Sequence, residues 1–224
     1  MPIRIHNEPH SYRRKLPHIQ PINTTFFITY RLVGSIPKAV LLKLHQEKED
    51  FERQLKRIKN DSAREKLWWE FHRKYFKKYD DTLDAIKSGP LWLKNNNIAR
   101  INAEAIHKRD TIEYDLYAYS IMPNHVHLVF YINEVHIKQS NRNSAYPVTS
   151  VLQFLKRETA IESNKILKRK GQFWERESYD HIVRNQNALI RVIKYTINNP
   201  VKAGLVEQPE DWEWNYCKED IQLW

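Results

Sequence analysis

Residues 119–131 read Y-S-I-M-P-N-H-V-H-L-V-F-Y, an apolar stretch that contains one turn signal and two histidines. Pro123 fixes φ and Asn124 tolerates a left-handed conformation, so the two residues favour a turn between two strands. Side chains alternate between faces along a strand, so His125 and His127 should point the same way, about 7 Å apart along the chain. The stretch therefore predicts an antiparallel hairpin whose outgoing strand presents two imidazoles on one face.

A histidine pair of this kind has two interpretations. It is either a pair of half-buried core histidines or half of a metal site. A complete metal site would need further ligands from elsewhere in the chain.

The rest of the chain alternates strand and helix signals, which indicates an α+β fold. β-Branched and aromatic residues predict a first strand over 24–33, and further strand patterns cover 111–121, 125–132 and 178–184. Apolar spacing and capping residues predict helices over 37–59, 62–78, 97–108, 149–170 and 185–199. The polar segment 133–147 is expected to be a loop. At 224 residues the chain fits one domain over 1–224, with a helical insertion at about 37–109.

Composition limits the possible functions. Lys and Arg number 37 against 27 Asp and Glu, giving a net charge of +10 and a pI near 9.5, which favours a polyanionic partner such as nucleic acid. No apolar run approaches the roughly 18 residues of a spanning helix, and the N-terminus lacks a signal-peptide pattern, so a cytoplasmic protein is expected. The single cysteine, Cys217, excludes an internal disulfide.

The predicted second helix interleaves aromatic and basic residues. Its aromatic residues are Trp68, Trp69, Phe71, Tyr75, Phe76 and Tyr79, and its basic ones are Arg64, Lys66, Arg73, Lys74, Lys77 and Lys78. The mixture suits a surface that stacks bases and neutralises phosphates. It equally suits a lid helix whose aromatics pack on the domain while its lysines face water.

The last predicted helix carries Tyr195 and Asn199 four residues apart, hence on one face. If that helix packs near the hairpin, Asn199 would add an oxygen ligand to His125 and His127. Two imidazoles and an amide oxygen, with positions left for phosphate oxygens, suit Mg²⁺ or Mn²⁺ in phosphoryl transfer. Tyr195 would be the nucleophile, and a phenol of ordinary pKa near ~10 would need help from the metal or from cations such as Lys194 and Lys202.

Three motifs together resemble those of the REP-associated tyrosine transposases, single-tyrosine members of the HUH superfamily. They are I-M-P-N-H-V-H-L-V at 121–129, R-E-S-Y-D-H-I-V-R-N at 176–185 and I-K-Y-T-I-N-N-P-V-K-A-G-L-V at 193–206. The segments 12–20 and 24–32 fit one branch of that family as well. The position four residues after Tyr195 is Asn199, where the two-tyrosine branch would show a second tyrosine, so the resemblance is to the single-tyrosine group.

The resemblance implies roles for individual residues. His125, His127 and Asn199 would be the metal ligands and Tyr195 the catalytic nucleophile. The DNA-contact candidates are His181, Arg184, Lys194 and Lys202, together with the basic run Arg13, Arg14 and Lys15, which is proposed from its charge alone. A buried structural histidine is an equal interpretation of His181, and solvated surface charge is the alternative for the basic residues.

The resemblance also implies a fold, a substrate and an activity. The fold would be a central antiparallel sheet of four to five strands with helices on one side, similar to the ferredoxin-like and RNA-recognition arrangement. The substrate would be single-stranded DNA with palindromic REP-like hairpins, cut and rejoined through a 5′-phosphotyrosine by a nucleoid-associated monomer or homodimer. The alternatives are a domesticated protein that binds hairpins without cutting and a histidine-based metal hydrolase that uses water. The segment 43–94 is longer and more aromatic than in the shortest family members, which leaves its role open.

Overall fold

The computed structural model describes residues 11–13, 17–85, 89–139, 146–219 and 221, with backbone alone for 11–13 and 17–19. Seven strands and six α-helices alternate along these residues: β1 (Ser11–Arg13), β2 (Pro17–Ile19), β3 (Thr24–Arg31), α1 (Lys38–Leu55), α2 (Asp61–Asp84), α3 (Asn96–His107), β4 (Asp115–Ile121), β5 (His125–Ile132), α4 (Glu134–Gln139), α5 (Pro147–Ile166), β6 (Tyr179–Val183), α6 (Gln186–Lys202) and β7 (Asn215–Cys217). Short 3₁₀ turns cover Trp92–Lys94 and Pro209–Asp211. The predicted α+β class is confirmed.

Five strands form one antiparallel sheet in the order β6-β3-β5-β4-β7, and β1 pairs with β2 separately. The predicted hairpin is present as β4 and β5, with His125 and Ile132 at the two ends of β5. Strand β3 lies beside β5 in a register that sets Thr29 opposite His127. The sheet thus places β5, the strand with the two histidines, at its centre.

Helices cover both faces of this sheet. Phe26, Leu128 and Phe130 point to the face that holds the main core, which α5 covers through Leu155. The alternate residues Phe27, Ala118 and Val129 point the other way and pack with Ile193 of α6. The prediction of helices on one side describes α3 and α5 but omits the second layer. Residues of β3 and β5 are buried on both faces of the sheet, and on the histidine face they include Thr29, His125 and His127 as well as Phe27.

Helices α1 and α2 run antiparallel and stack Phe51 on Phe71 with ring centroids 3.9 Å apart. Helix α2 reaches Asp84, so the predicted end near residue 78 is wrong. The extension contacts the sheet through Tyr79, whose hydroxyl accepts from Arg31 of β3 at 2.8 Å. Just before it, the rings of Phe76 and Phe27 lie 5.4 Å apart between centroids. The aromatic side of α2 therefore lies on the histidine face of the sheet, as the lid interpretation expects.

Other local predictions also differ from the structure, and α1 and α5 end four residues before the predicted 59 and 170. The polar segment after β5 contains α4, and the predicted strand start at residue 111 is a turn with φ of 64° at Thr111. The sequence predicts that helix α6 ends at residue 199, before Pro200, but it continues to Lys202 with Pro200 inside it. A proline removes only one backbone hydrogen bond, and in the last turn of a helix that loss does not stop the helix. None of these differences moves a residue away from the histidine face.

Candidate metal and nucleophile site

The two histidines of β5 lie side by side with their Nε2 atoms 3.1 Å apart, and both side chains are fully buried. The spacing follows from the strand, since residues two apart share a face. Two Nε2 atoms that both ligate an ion at the usual distance of about 2.1 Å would be separated by roughly this amount. The pair is therefore arranged as two ligands of one ion would be.

Hydrogen bonds orient both rings and fix which ring nitrogen of His125 is available. The Asn124 amide donates to the carbonyl of Leu83 at 3.0 Å, which turns its oxygen toward Nδ1 of His125 at 2.7 Å. Nδ1 of His125 must then donate, and its Nε2 keeps a lone pair. The Nδ1 atom of His127 lies 2.8 Å from the Thr29 hydroxyl, which can accept from a protonated Nδ1 and so permits the same tautomer there. Such partners orient the rings of metal-ligating histidines.

Burial also sets the charge state of the pair. Burial lowers the pKa of His125 to about 3, with Lys202 adding to the effect and Asn199 opposing it. Burial and the neighbouring His125 hold the pKa of His127 well below its usual value. Both imidazoles are thus neutral at pH 7, which is the protonation state that binds a metal.

Helix α6 brings Tyr195 and Asn199 to the same place. Asn199 is fully buried, and its Oδ1 has no hydrogen-bond partner. The rings of Tyr195 and His127 lie 5.7 Å apart between centroids. The Asn199 amide donates to Asp84 at 3.4 Å and its side chain acts on the pKa of His125, so both α6 residues lie at the histidine pair, as a joint site requires.

Helix α2 contributes Asp80 and Asp84, which the sequence analysis missed. Oδ1 of Asp80 lies 3.3 Å from Nε2 of His127, and Oδ1 of Asp84 lies 3.8 Å from Nε2 of His125. The other oxygen of Asp80 accepts a hydrogen bond from the Tyr195 hydroxyl. The sequence did carry a signal for these residues: the two aspartates lie one helical turn apart on the aromatic face of α2. A carboxylate on a face that becomes buried needs a compensating partner such as a cation.

The donor set fits a divalent ion. Ligand atoms of Asp80, His125 and His127 lie within 4.8 Å of one another, and all three residues are buried. Oδ1 of Asp80 and Oδ1 of Asn199 are buried without hydrogen bonds, which is costly unless a cation takes those positions. Burial, and then the charge of Asp84, raise the pKa of Asp80 well above its usual value. Mixed imidazole and oxygen donors suit several divalent metals, including Mn²⁺.

Lys202 closes the exposed side of the site. Its ammonium lies 2.7 Å from both Asp81 and Asp84 and 5.4 Å from the centroid of the Tyr195 ring. Burial alone would lower the pKa of Lys202, but the hydrogen bonds to Asp81 and Asp84 raise it. This DNA-contact candidate therefore lies at the site, paired with carboxylates of α2.

Of the three other DNA-contact candidates that the resemblance implies, Arg184 and His181 lie near Trp69 and Lys194 lies on α6. The Arg184 guanidinium stacks 3.8 Å from the Trp69 ring centroid and forms an ion pair with Glu65 at 3.8 Å. The rings of His181 and Trp69 are 5.9 Å apart, and burial lowers the pKa of His181. Lys194 is half-buried on α6, one residue before Tyr195. Arg184 and His181 therefore lie on the α2 and β6 side of the domain, beside Trp69.

The N-terminal candidates are mostly outside the described residues. Arg13 ends strand β1, whose backbone alone is described. Arg14 and Lys15 fall in a range that the structure does not describe.

Comparisons with known proteins point to one kind of relative. The chain is 26% identical over 109 residues to a Haemophilus influenzae protein with the provisional name REP-associated tyrosine transposase. That match covers 49% of this chain and 62% of the relative, so the chain spans less than two thirds of the relative's length. No protein-family model matches the chain.

A solved structure of a REP-associated tyrosine transposase bound to a REP hairpin aligns with 91% of this chain and 80% of its own, at a TM-score of 0.47 and 16% identity. Within the part of the chain that the structure covers, no helix is both long enough and apolar enough to span a bilayer.

Proposed function

We propose that the chain is a metal-dependent endonuclease and strand transferase that acts on single-stranded DNA at hairpins, through a 5′-phosphotyrosine on Tyr195. The observation that carries the proposal is the position of the Tyr195 hydroxyl, which bonds the carboxylate of Asp80 beside the paired imidazoles of His125 and His127. A phenol, two neutral imidazoles and buried oxygens thus meet at one point. The sequence similarity to a named transposase supports the same class.

The reaction keeps the energy of the broken phosphodiester bond in a phosphotyrosyl bond. The Tyr195 oxygen attacks phosphorus, the bond from phosphorus to the 3′-oxygen breaks, and the leaving strand takes up a proton as a free 3′-hydroxyl. Tyr195 gives up one proton at attack and the leaving 3′-oxygen takes up one, so the step has no net change in protons. A later 3′-hydroxyl attacks the phosphotyrosyl bond and reseals the strand without a nucleotide cofactor. A bound divalent ion would polarise the phosphate and offset the developing negative charge.

The ion would be Mg²⁺ or Mn²⁺, held by His125, His127, Asp80 and Asn199. The histidines and the carboxylate already lie within reach of one ion. The unpartnered Asn199 oxygen supplies a further donor. These hard oxygen donors, combined with imidazole, are compatible with an ion that also binds phosphate oxygens.

The proposed substrate is a DNA hairpin of the REP type, and the protein acts in the cytoplasm at the nucleoid. A net charge of +10 favours a polyanion. The name of the relative supplies the hairpin class. We propose a single domain over residues 1–224, with α1 to α3 as an insertion between β3 and β4, and a monomer or homodimer as the active form.

A labelled hairpin separates the possible activities. The probes are single-stranded oligonucleotides with randomised hairpin stems and flanks, labelled at either end and incubated with Mn²⁺ or with EDTA. The proposal expects the 3′-labelled fragment to become attached to protein while the 5′-labelled fragment is released with a 3′-hydroxyl. Free fragments at both labels would indicate a water-using hydrolase instead. Cleavage that persists in EDTA would refute the metal requirement.

The second candidate is a domesticated protein that binds hairpins without cutting them. One observation favours it: Lys202 and the Tyr195 hydroxyl, the groups expected to meet the phosphate, are both bonded to aspartates of α2. Binding of the same probes without cleavage under any divalent ion would select this candidate. The convergence of phenol, imidazoles and buried oxygens favours the enzyme.

A further inference from the structure

We propose that Asp80 is a positioning residue that links the ion to the nucleophile. One carboxylate oxygen ligates the divalent ion, and the other holds the Tyr195 hydroxyl beside it. The inference rests on the proposed function and deepens it, because it assigns a residue of α2, a helix of the insertion, to the active site. Because Asp80 lies on α2 and the histidines lie on β5, the ion connects α2 to the sheet, and α2 forms one side of the site.

The two oxygens of Asp80 have separate surroundings. Oδ1 faces Nε2 of His127 at 3.3 Å, is fully buried and has no hydrogen-bond partner. Oδ2 accepts the hydroxyl of Tyr195 and lies 3.6 Å from the Lys202 ammonium. A bare buried carboxylate oxygen is destabilising, and an ion beside His127 removes that cost. The geometry thus leaves Oδ1 for the ion and assigns Oδ2 to the nucleophile.

Of the three aspartates near the site, Asp80 is the one that accepts from the Tyr195 hydroxyl. Asp81 has a side chain that is 42% exposed and pairs with Lys77 and Lys202. Oδ1 of Asp84 is also buried without a hydrogen bond and lies 3.8 Å from Nε2 of His125, but Oδ2 of Asp84 pairs with Lys202 at 2.7 Å rather than with the nucleophile. In the described part of the chain, Asp80 is the carboxylate whose ligand atom lies within 4.8 Å of both histidines. Asp81 is therefore a matched control: it lies on the same helix, carries the same charge and shares Lys202.

Mn²⁺ titration without DNA tests the ligand. By calorimetry, Asp80→Asn should weaken Mn²⁺ binding at least about tenfold, since even removal of a residue that only orients a ligand costs that much. Asp81→Asn should change it by no more than about fivefold, the effect of an exposed charge. Unchanged affinity in Asp80→Asn, or an equal loss in both variants, would overturn the proposal.

Hydrogen exchange tests whether the ion ties α2 to the sheet. Mn²⁺ should slow exchange over residues 76–84 in the wild type and not in Asp80→Asn. Exchange in α3, on the opposite face, should stay constant in both proteins. Equal protection of α2 by Mn²⁺ in the wild type and Asp80→Asn would contradict a link through Asp80. If Asp80→Asn fails to fold, Asp80→Glu, which moves the carboxylate by one methylene, should show the same two losses.

Single-turnover adduct formation tests the link to Tyr195. At saturating Mn²⁺, Asp80→Asn should bind the hairpin probes like the wild type but form the adduct at least about tenfold more slowly, because the hydroxyl is no longer held beside the ion. An unchanged rate would refute the positioning role. Absence of any adduct in the wild type would instead refute the proposed function, and the Mn²⁺ titration would still decide the ligand role of Asp80.

Discussion

Asn124 offers a sharp test of how the metal position is prepared. Its amide oxygen accepts from Nδ1 of His125 at 2.7 Å and its amide nitrogen donates to the Leu83 carbonyl at 3.0 Å. Asn124→Ala removes both bonds, so the His125 ring loses the partner that fixes its tautomer. Loss of such a partner typically weakens metal binding about 10- to 100-fold, which is about 1.4–2.8 kcal/mol.

Calorimetric titration with Mn²⁺ measures this loss, with Asn102→Ala as the control. Asn102 is equally buried and donates to the Ile98 carbonyl at 2.8 Å, but it lies on α3 behind the other face of the sheet. Both variants should lose about 1–3 kcal/mol of stability in urea, and only Asn124→Ala should lose Mn²⁺ affinity. Equal Mn²⁺ affinity in Asn124→Ala and the wild type would refute the role assigned to Asn124.

A second variant separates the two bonds of Asn124. Asn124→Asp keeps an oxygen that accepts from His125 and loses the donor to Leu83. If the effect passes through the His125 tautomer, Asn124→Asp should bind Mn²⁺ at least as tightly as the wild type, since a carboxylate also accepts from Nδ1 and raises the basicity of the ring. If Asn124→Asp is as weak as Asn124→Ala, the effect passes through the position of α2 instead.

Three further predictions test other contacts. Thr29→Val removes the hydroxyl at Nδ1 of His127 and should weaken Mn²⁺ binding about 10- to 100-fold in calorimetry, whereas Thr29→Ser should not. Leu155→Ala empties a fully buried core position and should cost about 2–5 kcal/mol in urea unfolding, while a loss below 1 kcal/mol would contradict the packing described. The hydrogen bond from Arg109 lowers the pKa of Glu158, so this pair stabilises the fold above the ordinary value of 4.5 and the stability is lost as pH falls below it. Thermal unfolding of Glu158→Gln should therefore depend less on pH in that acidic range than the wild type does, and parallel curves would refute the assignment.

The elements that could be predicted from the sequence are those whose signals are local. Strand β5 begins at His125 and ends at Ile132 as predicted, because alternation and a turn define it. Asn185 caps α6 by accepting from the Ala188 backbone, which capping chemistry alone anticipates. The same local logic placed Tyr195 and Asn199 on one face of a helix.

The features that could not be predicted depend on tertiary packing. Helix α2 continues past residue 78 because Leu83 is fully buried in the folded domain and Tyr79 bonds Arg31, and neither fact is visible in a short window. Asp80 lies 45 positions before His125, and nothing local to either residue indicates that α2 crosses the histidine face. In the sequence, Lys202 is an ordinary basic residue at the end of a helix, but in the structure it pairs with Asp84 of α2.

The measurement that tests the account most directly is the mass of the peptide that contains Tyr195 after reaction. The wild type is incubated with the randomised hairpin probes and Mn²⁺, digested with nuclease and protease, and analysed by mass spectrometry. The account predicts a nucleotide 5′-phosphate on Tyr195 that is absent in Tyr195→Phe, which should still bind the probes. Cleavage by Tyr195→Phe, or an adduct on any other residue, would contradict it.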